Sequence, residues 1–422
     1  MKRLFILTTF LLGISPICLN AQELTLEECQ QQARAHYPLI KRYGLIEKTK
    51  EYNISNAGKG YLPQVSLSAK ASYQSDVTEI PVDLPGIDIR GIRKDQYQAM
   101  LQLDQVVWDG GNIRARKEVT RATSEVDKQK LEVDMYAINE RENQLFFGIL
   151  LLKEQLKQNQ LMQEELQRNY DNVTAYVKNG IANQADLDAV KVEQLNTKQK
   201  RIDLVSSRAA YLKMLSLLVG EALSPETVLE KPVPQSTVSA VSEIRRPELA
   251  LFDAQGAGLQ VQEKALNVRH LPQFGLFVQG AYGNPGLDML KNEFSPYYMA
   301  GVRLSWNFGS LYTLKNDRRV IEKKRQQLDN NRDVFLFNTR LEMTQQDQAI
   351  HSLEKQMRDD DEIIRLRTNI RKAAEAKVAN GTLTVTEMLR ELTNESLARQ
   401  SKAMHEIQRL MGIYQLKYTT ND

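Results

Sequence analysis

A stretch of alternating polarity, met twice, constrains this chain more than any other feature. In "YLPQVSLSAKASY" (Tyr61–Tyr73), Val65, Leu67, Ala69, Ala71 and Tyr73 are apolar or aromatic. Ser66, Ser68, Lys70 and Ser72 between them are small, polar or charged. A period of two is that of a β-strand with one oily and one wet face. "HLPQFGLFVQGAY" (His270–Tyr282) repeats the Leu-Pro-Gln opening and the closing rhythm of a small residue and a tyrosine.

The two stretches belong to a longer duplication. Pro38 and Pro247, Pro63 and Pro272, and Tyr73 and Tyr282 are each 209 residues apart. Tyr97 and Tyr298, and Leu103 and Leu304, are 201 apart, as are "VKNGIANQADL" (Val177–Leu187) and "VANGTLTVTEM" (Val378–Met388). The net change falls in turn-rich segments, and loops absorb insertions where packed elements do not. Each copy therefore reads as a hairpin of variable tip followed by a long element of fixed length. The return strands alternate too. Tyr97, Ala99, Leu101 and Leu103 oppose Gln98, Gln102 and Asp104; Tyr298, Ala300, Val302, Leu304, Trp306 and Phe308 oppose Arg303, Ser305 and Asn307. That makes four strands.

Between the hairpins the pattern is helical. From about Asn112 to Lys178 there is no proline, and Ile138, Leu145, Ile149, Leu152, Leu156, Leu166, Tyr170, Val173 and Val177 follow a seam of threes and fours. Such a helix spans roughly 100 Å, far more than a globular domain needs. Asn179-Gly180 and Asn380-Gly381 can end the long helices, since glycine accepts positive φ. Second helices then run to about Val219, and from about Thr384 to Leu416. Thr25-Leu26-Glu27-Glu28 matches a capping box. Pro38 and Pro247 suit first helical positions, and Pro63 and Pro272 stop helices and open strands.

Lys2 and Arg3, then the apolar run Leu4 to Ile17 and the small residue Ala21, read as a signal peptide cut before Gln22. Lipidation at Cys18 is the alternative, disfavoured by the bulk of Ile17. Without Cys18, Cys29 is a lone buried thiol. The mature chain has no apolar run of 18 residues, so no transmembrane helix. Barrel strands escape that test. With 56 Lys and Arg against 53 Asp and Glu, no basic stripe marks a nucleic-acid binder.

Catalysis finds no support. His36, His270, His351 and His405 are scattered without metal-ligand spacing. There is no phosphate-binding loop, and "QGAG" (Gln255–Gly258) lies in helical sequence without the strand a dinucleotide site requires. The expectation is a non-enzyme without cofactor or metal.

Four strands are too few for a closed barrel, and lipid tolerates no unpaired strand edge, so oligomerisation is required. The order of helix, Leu-Pro strand, hairpin, "VVWDGG" exit (Val106–Gly111), long helix, Asn-Gly turn and helix, all duplicated and with "RRPEL" at Arg245–Leu249, resembles the TolC family of outer membrane efflux proteins. The resemblance implies a trimer with a 12-stranded outer-membrane β-barrel, four strands per protomer, on a long periplasmic α-helical barrel. It implies an exit duct for drug efflux or type I secretion. The partners would be outer-membrane lipid, a periplasmic adaptor and an inner-membrane transporter of the RND or ABC class. The parts would be a signal peptide (1–21), N-terminal helices (22–61), a first barrel hairpin (62–108), a first helical pair (109–220), a connector (221–242), a second opening helix (243–270), a second hairpin (271–309) and a second helical pair (310–422). Ser66, Ser68, Lys70, Gln102, Gln279 and Arg303 would face the lumen. Tyr73, Tyr97, Tyr282 and Tyr298 would mark the outer interface, and Trp108, Trp306 and Phe308 the inner one. The turns at Asn179-Gly180 and Asn380-Gly381 would form the gated tip, with Asp186 and Glu387 as an acidic ring; Arg390 stands where a second acid would double it. The loop Pro81 to Ile89 reads as a surface loop, with folding over the barrel mouth as the other option. The competing reading is a periplasmic coiled-coil scaffold or adaptor whose strands form a soluble sandwich.

Overall fold

The computed structural model describes residues 23–77, 93–233, 242–289 and 291–421. The segment expected to be a signal peptide, with Cys18, the loop Pro81 to Ile89 and residues 234–241 of the expected connector lie outside the described residues. The elements are β1 (Glu23–Leu24), α1 (Leu26–His36), α2 (Lys41–Gly58), β2 (Gln64–Tyr73), β3 (Asp95–Trp108), α3 (Asn112–Lys178), α4 (Gln184–Val219), β4 (Val228–Leu229), α5 (Pro247–Val268), β5 (Gln273–Asn284), β6 (Ser295–Ser305), α6 (Ser310–Ala379) and α7 (Val385–Thr420). The chain divides into two compact units.

One unit takes Lys41–Tyr136 and Arg245–Thr339. It holds a single antiparallel sheet in the order β2-β3-β5-β6, which leaves β2 and β6 as edges. The oily and wet faces follow from cross-strand pairing, because directly opposed residues point the same way. Leu67 pairs with Leu101, Leu101 with Gly280 and Gly280 with Tyr298; Val65 stands level with Leu103, Val278 and Ala300. Leu67 is 77% exposed and Tyr298 81%, so nothing among the described residues covers this face. The register slips between Val106 and Trp108. The bulge adds one residue and turns Trp108 onto the oily face, where it meets the Phe274 ring.

The strands leave the sheet through two tight corners. Asp109 accepts from the N–H groups of Gly111 and Ile113 and so caps α3. Gly110 has φ +68°, and a Cβ there would lie 2.8 Å from Leu271 Cβ. Sterics thus demand glycine twice over. At the other corner Asn307 Oδ1 accepts from Gly309 N–H, 2.9 Å. This turn ends β6 at Ser305, so Trp306 and Phe308 lie beyond the strand rather than on it, as the alternation had suggested. Trp306 Nε1 donates instead to the His270 carbonyl. Arg246, before Pro247, is held over the rings of Tyr136 and Phe335 and paired with Glu248.

The other unit takes the chain up to Ile40, Ala137–Ile244 and Arg340 onward. Thr25 and Glu28 form the capping box that starts α1. β1 pairs in parallel with β4, which lies in the connector. Leu26 and Cys29 of α1, Phe146 and Ile149 of α3, Leu215 of α4 and Leu416 of α7 share one apolar core.

One sequence expectation is corrected: Pro38 opens a three-residue 3₁₀ turn, and α2 starts at Lys41. The spacing of 201 residues holds along the long helices, and both end at equivalent positions, Lys178 and Ala379. α6 has 70 residues against 67 in α3 because it starts three residues earlier in that register, at Ser310 rather than at Thr313, the counterpart of Asn112.

Candidate functional site

Two regions carry polar groups that a packed core does not need, one in each unit.

On the sheet, the register puts Ser66, Gln102 and Gln279 level with one another on the wet face. Ser68, Lys70 and Arg303 share that face by the period of two. Their side chains form a ladder across strands. Gln279 donates to Gln102 at 2.9 Å, Gln102 donates to Asp104, and Arg303 donates to Asp104 at 3.1 Å while lying over the Phe277 ring. Asp104 is the hub, although its place in the alternation alone did not mark it as a site.

In the other unit, the two Asn-Gly turns are brought together. Val173 and Val190 flank the first, Val378 and Val385 flank the second, and all four share one apolar cluster with Met388 and Leu389. Gly180 and Gly381 take φ of +74° and +70°. Asp186 and Glu387 prove to be capping-box residues. Asn183 N–H donates to Asp186 at 3.0 Å, and Thr384 N–H and hydroxyl both donate to Glu387. These bonds from Thr384 hold the Glu387 carboxyl below its usual range. The acids therefore have a local task in starting α4 and α7. Arg390 is exposed, 3.5 Å from Glu391.

Deeper in that unit lies an ion cluster that sequence reading missed. Arg371 of α6 bonds Glu395 of α7 and Glu375, and lies 3.8 Å from Glu165 of α3. Thr368 and Arg399 also donate to Glu395, each at 2.7 Å. Burial pushes the Glu395 carboxyl up, but the bonds from Arg399, Thr368 and Arg371 outweigh it and hold it low. The cluster clasps three helices.

Glu142 of α3 is the exception to paired burial. It is 0% exposed, and neither carboxylate oxygen has a hydrogen-bond partner among the described residues. Desolvation pushes it up to about 8. Burial, with Glu142 and Glu28 near, likewise pushes the Cys29 thiol up to about 12. A folded carboxyl that titrates above its unfolded value holds its proton more tightly when folded. Stability from Glu142 is therefore full below about pH 4.5 and falls as pH rises toward 8, by about 1.4 kcal/mol per unit at most. Glu142→Gln should flatten the fall in thermal midpoint between pH 5 and pH 8. An unchanged slope would mean that Glu142 is charged and solvated. Among the described residues no group of His, Cys, Asp and Glu is placed to hold a metal.

The model of the outer membrane efflux protein family matches residues 29–221. Solved structures match nearly the whole chain. The outer membrane protein VceC from Vibrio cholerae is 12% identical, with TM-score 0.66 over 94% of this chain and 95% of that one. The CmeC outer membrane channel of Campylobacter jejuni is 13% identical, with TM-score 0.63 over 94% and 85%. The open-state MtrE outer membrane channel of Neisseria gonorrhoeae is 12% identical, with TM-score 0.64 over 94% and 88%. No curated protein matches in sequence. The family resemblance read from the repeated segments is borne out, and the fold is that of these channels.

Proposed function

We propose, with that resemblance to outer membrane efflux proteins as premise, that this chain is one protomer of a trimeric exit duct in the outer membrane. The observation that carries the reading is a four-stranded sheet whose oily face is uncovered and whose two edges are unpaired among the described residues. In lipid such edges must be paired, and three copies joined edge to edge make a closed barrel of twelve strands. A scaffold or adaptor would need its oily face packed against a second layer. The wet ladder of Gln102, Gln279, Asp104 and Arg303 would then line the lumen. A protein exported by its first 21 residues would pass substrates without chemistry of its own. They would arrive from a periplasmic adaptor and an RND or ABC transporter of the inner membrane. Cell fractionation with crosslinking tests this. Outer-membrane location with a crosslinked trimer supports the duct, and a periplasmic, soluble monomer sinks it.

The clustered Asn-Gly turns would be the gated tip of the helical tube, with Asp186 and Glu387 ringing it in six copies. Like charges converging in a narrow ring need cations or neighbours such as Arg390. Asp186→Asn with Glu387→Gln should change cation block or ion selectivity in planar bilayers while trimers still assemble. Wild-type behaviour in both would reduce the acids to helix caps.

A further inference from the structure

The balanced charge of the whole chain hides a local imbalance. Four helix segments adjoin the sheet: 52–61 before β2, 112–121 after β3, 260–269 before β5 and 310–319 after β6. Together they hold ten Lys and Arg against three Asp and Glu. The remaining residues hold 46 against 50. The excess is invisible along the sequence because it is divided among four distant segments, and only the fold gathers it beside the sheet.

These bases are placed for contact. Arg114, Arg116, Lys264, Lys315 and Arg319 are exposed and have no carboxylate partner among the described residues. On α3, positions 114, 116 and 117 lie at about 0°, 200° and 300° around the axis, so bases point outward whichever side faces a lumen. Asn112 to Arg121 and Ser310 to Arg319 each climb about 14 Å. That interval spans the headgroup layer beyond a hydrocarbon core and the reach of its field in salt. The apolar band ends just before them. Trp108, Trp306 and Phe308 are all exposed at the junctions, as aromatics are at a membrane interface.

We propose that this belt binds the headgroups of anionic phospholipids in the leaflet on the helix side. The proposal rests on the outer-membrane reading. Long basic side chains would reach the phosphates while their stems lie along apolar surface.

The two tryptophans of the chain, Trp108 and Trp306, sit at the junctions and report on the belt directly. The full chain is reconstituted in phosphatidylcholine bilayers doped with brominated phosphatidylglycerol or brominated phosphatidylcholine, and tryptophan quenching is measured. Phosphatidylglycerol should bind more tightly by roughly fivefold or more, the factor one base near an anionic surface is worth. The preference should vanish in 1 M salt, and in the variant carrying Arg114→Gln, Arg116→Gln, Lys315→Gln and Arg319→Gln. Quenching of that variant by brominated phosphatidylcholine should stay at the wild-type level. Equal quenching of the wild type by both lipids overturns the belt and leaves the membrane reading standing. A preference that survives both salt and the variant also overturns it. Quenching by neither lipid overturns the outer-membrane reading itself.

Discussion

Leu67→Arg is expected to keep the protein out of the outer membrane, whereas Ser68→Arg, one residue along, assembles. Leu67 is on the oily face, level with Leu101, and 77% exposed. Arginine at the midplane of a lipid-facing strand costs about 2–4 kcal/mol, and a trimer would carry three such defects. Ser68 stands level with Met100 and Ala281 on the wet face, where arginine meets water. The Ser68 variant should reach the membrane in near wild-type amount and conduct less, because the added side chain occupies lumen. The measurement is the amount of each variant in the outer-membrane fraction. Equal loss from both would contradict the register.

The second large effect is expected at Arg371. Truncation to alanine leaves one oxygen of the buried Glu395 carboxylate without its donor and frees Glu375 and Glu165. Removing one member of a buried ion pair costs about 3–5 kcal/mol, and Arg399 and Thr368 still bonded to Glu395 bring the expectation to the low end. Glu395→Gln should cost less, because Arg371 keeps two other carboxylates. The thermal midpoint of the purified protein should therefore fall further for Arg371→Ala than for Glu395→Gln. The reverse order, or no fall for Arg371→Ala, would show that the clasp carries no stability.

The sheet was legible because period-two alternation survives in any context, and prolines at 63 and 272 mark where helix must stop. Facing followed from the same parity: Ser66, Gln102, Gln279 and Arg303 need only the register to fall on one side. Parity fails at a bulge or a turn. Trp108 is turned by the bulge at Val106, and Trp306 has already left the ladder. The helix starts were legible in another way. Asn183 to Asp186 and Thr384 to Glu387 carry capping-box spacing, but an acid just beyond an Asn-Gly turn has the same spacing whether it caps a helix or joins a ring. Arg371 and Glu395 lie in runs of charge that look solvated. Only the pairing of α6 with α7 brings them together across 24 residues. Glu142, in "NERENQ", gives no sign of burial in composition or spacing. The basic belt escaped for the opposite reason, since its excess appears only when four segments are gathered by the fold.

The central claim is that this chain forms a water-filled path through a membrane. Single-channel recording of the purified full-length protein in planar bilayers tests it most directly. The duct predicts discrete, uniform conductance steps that appear only with trimers and shrink with Ser68→Arg. Folded, lipid-inserted protein that yields no steps would contradict the claim.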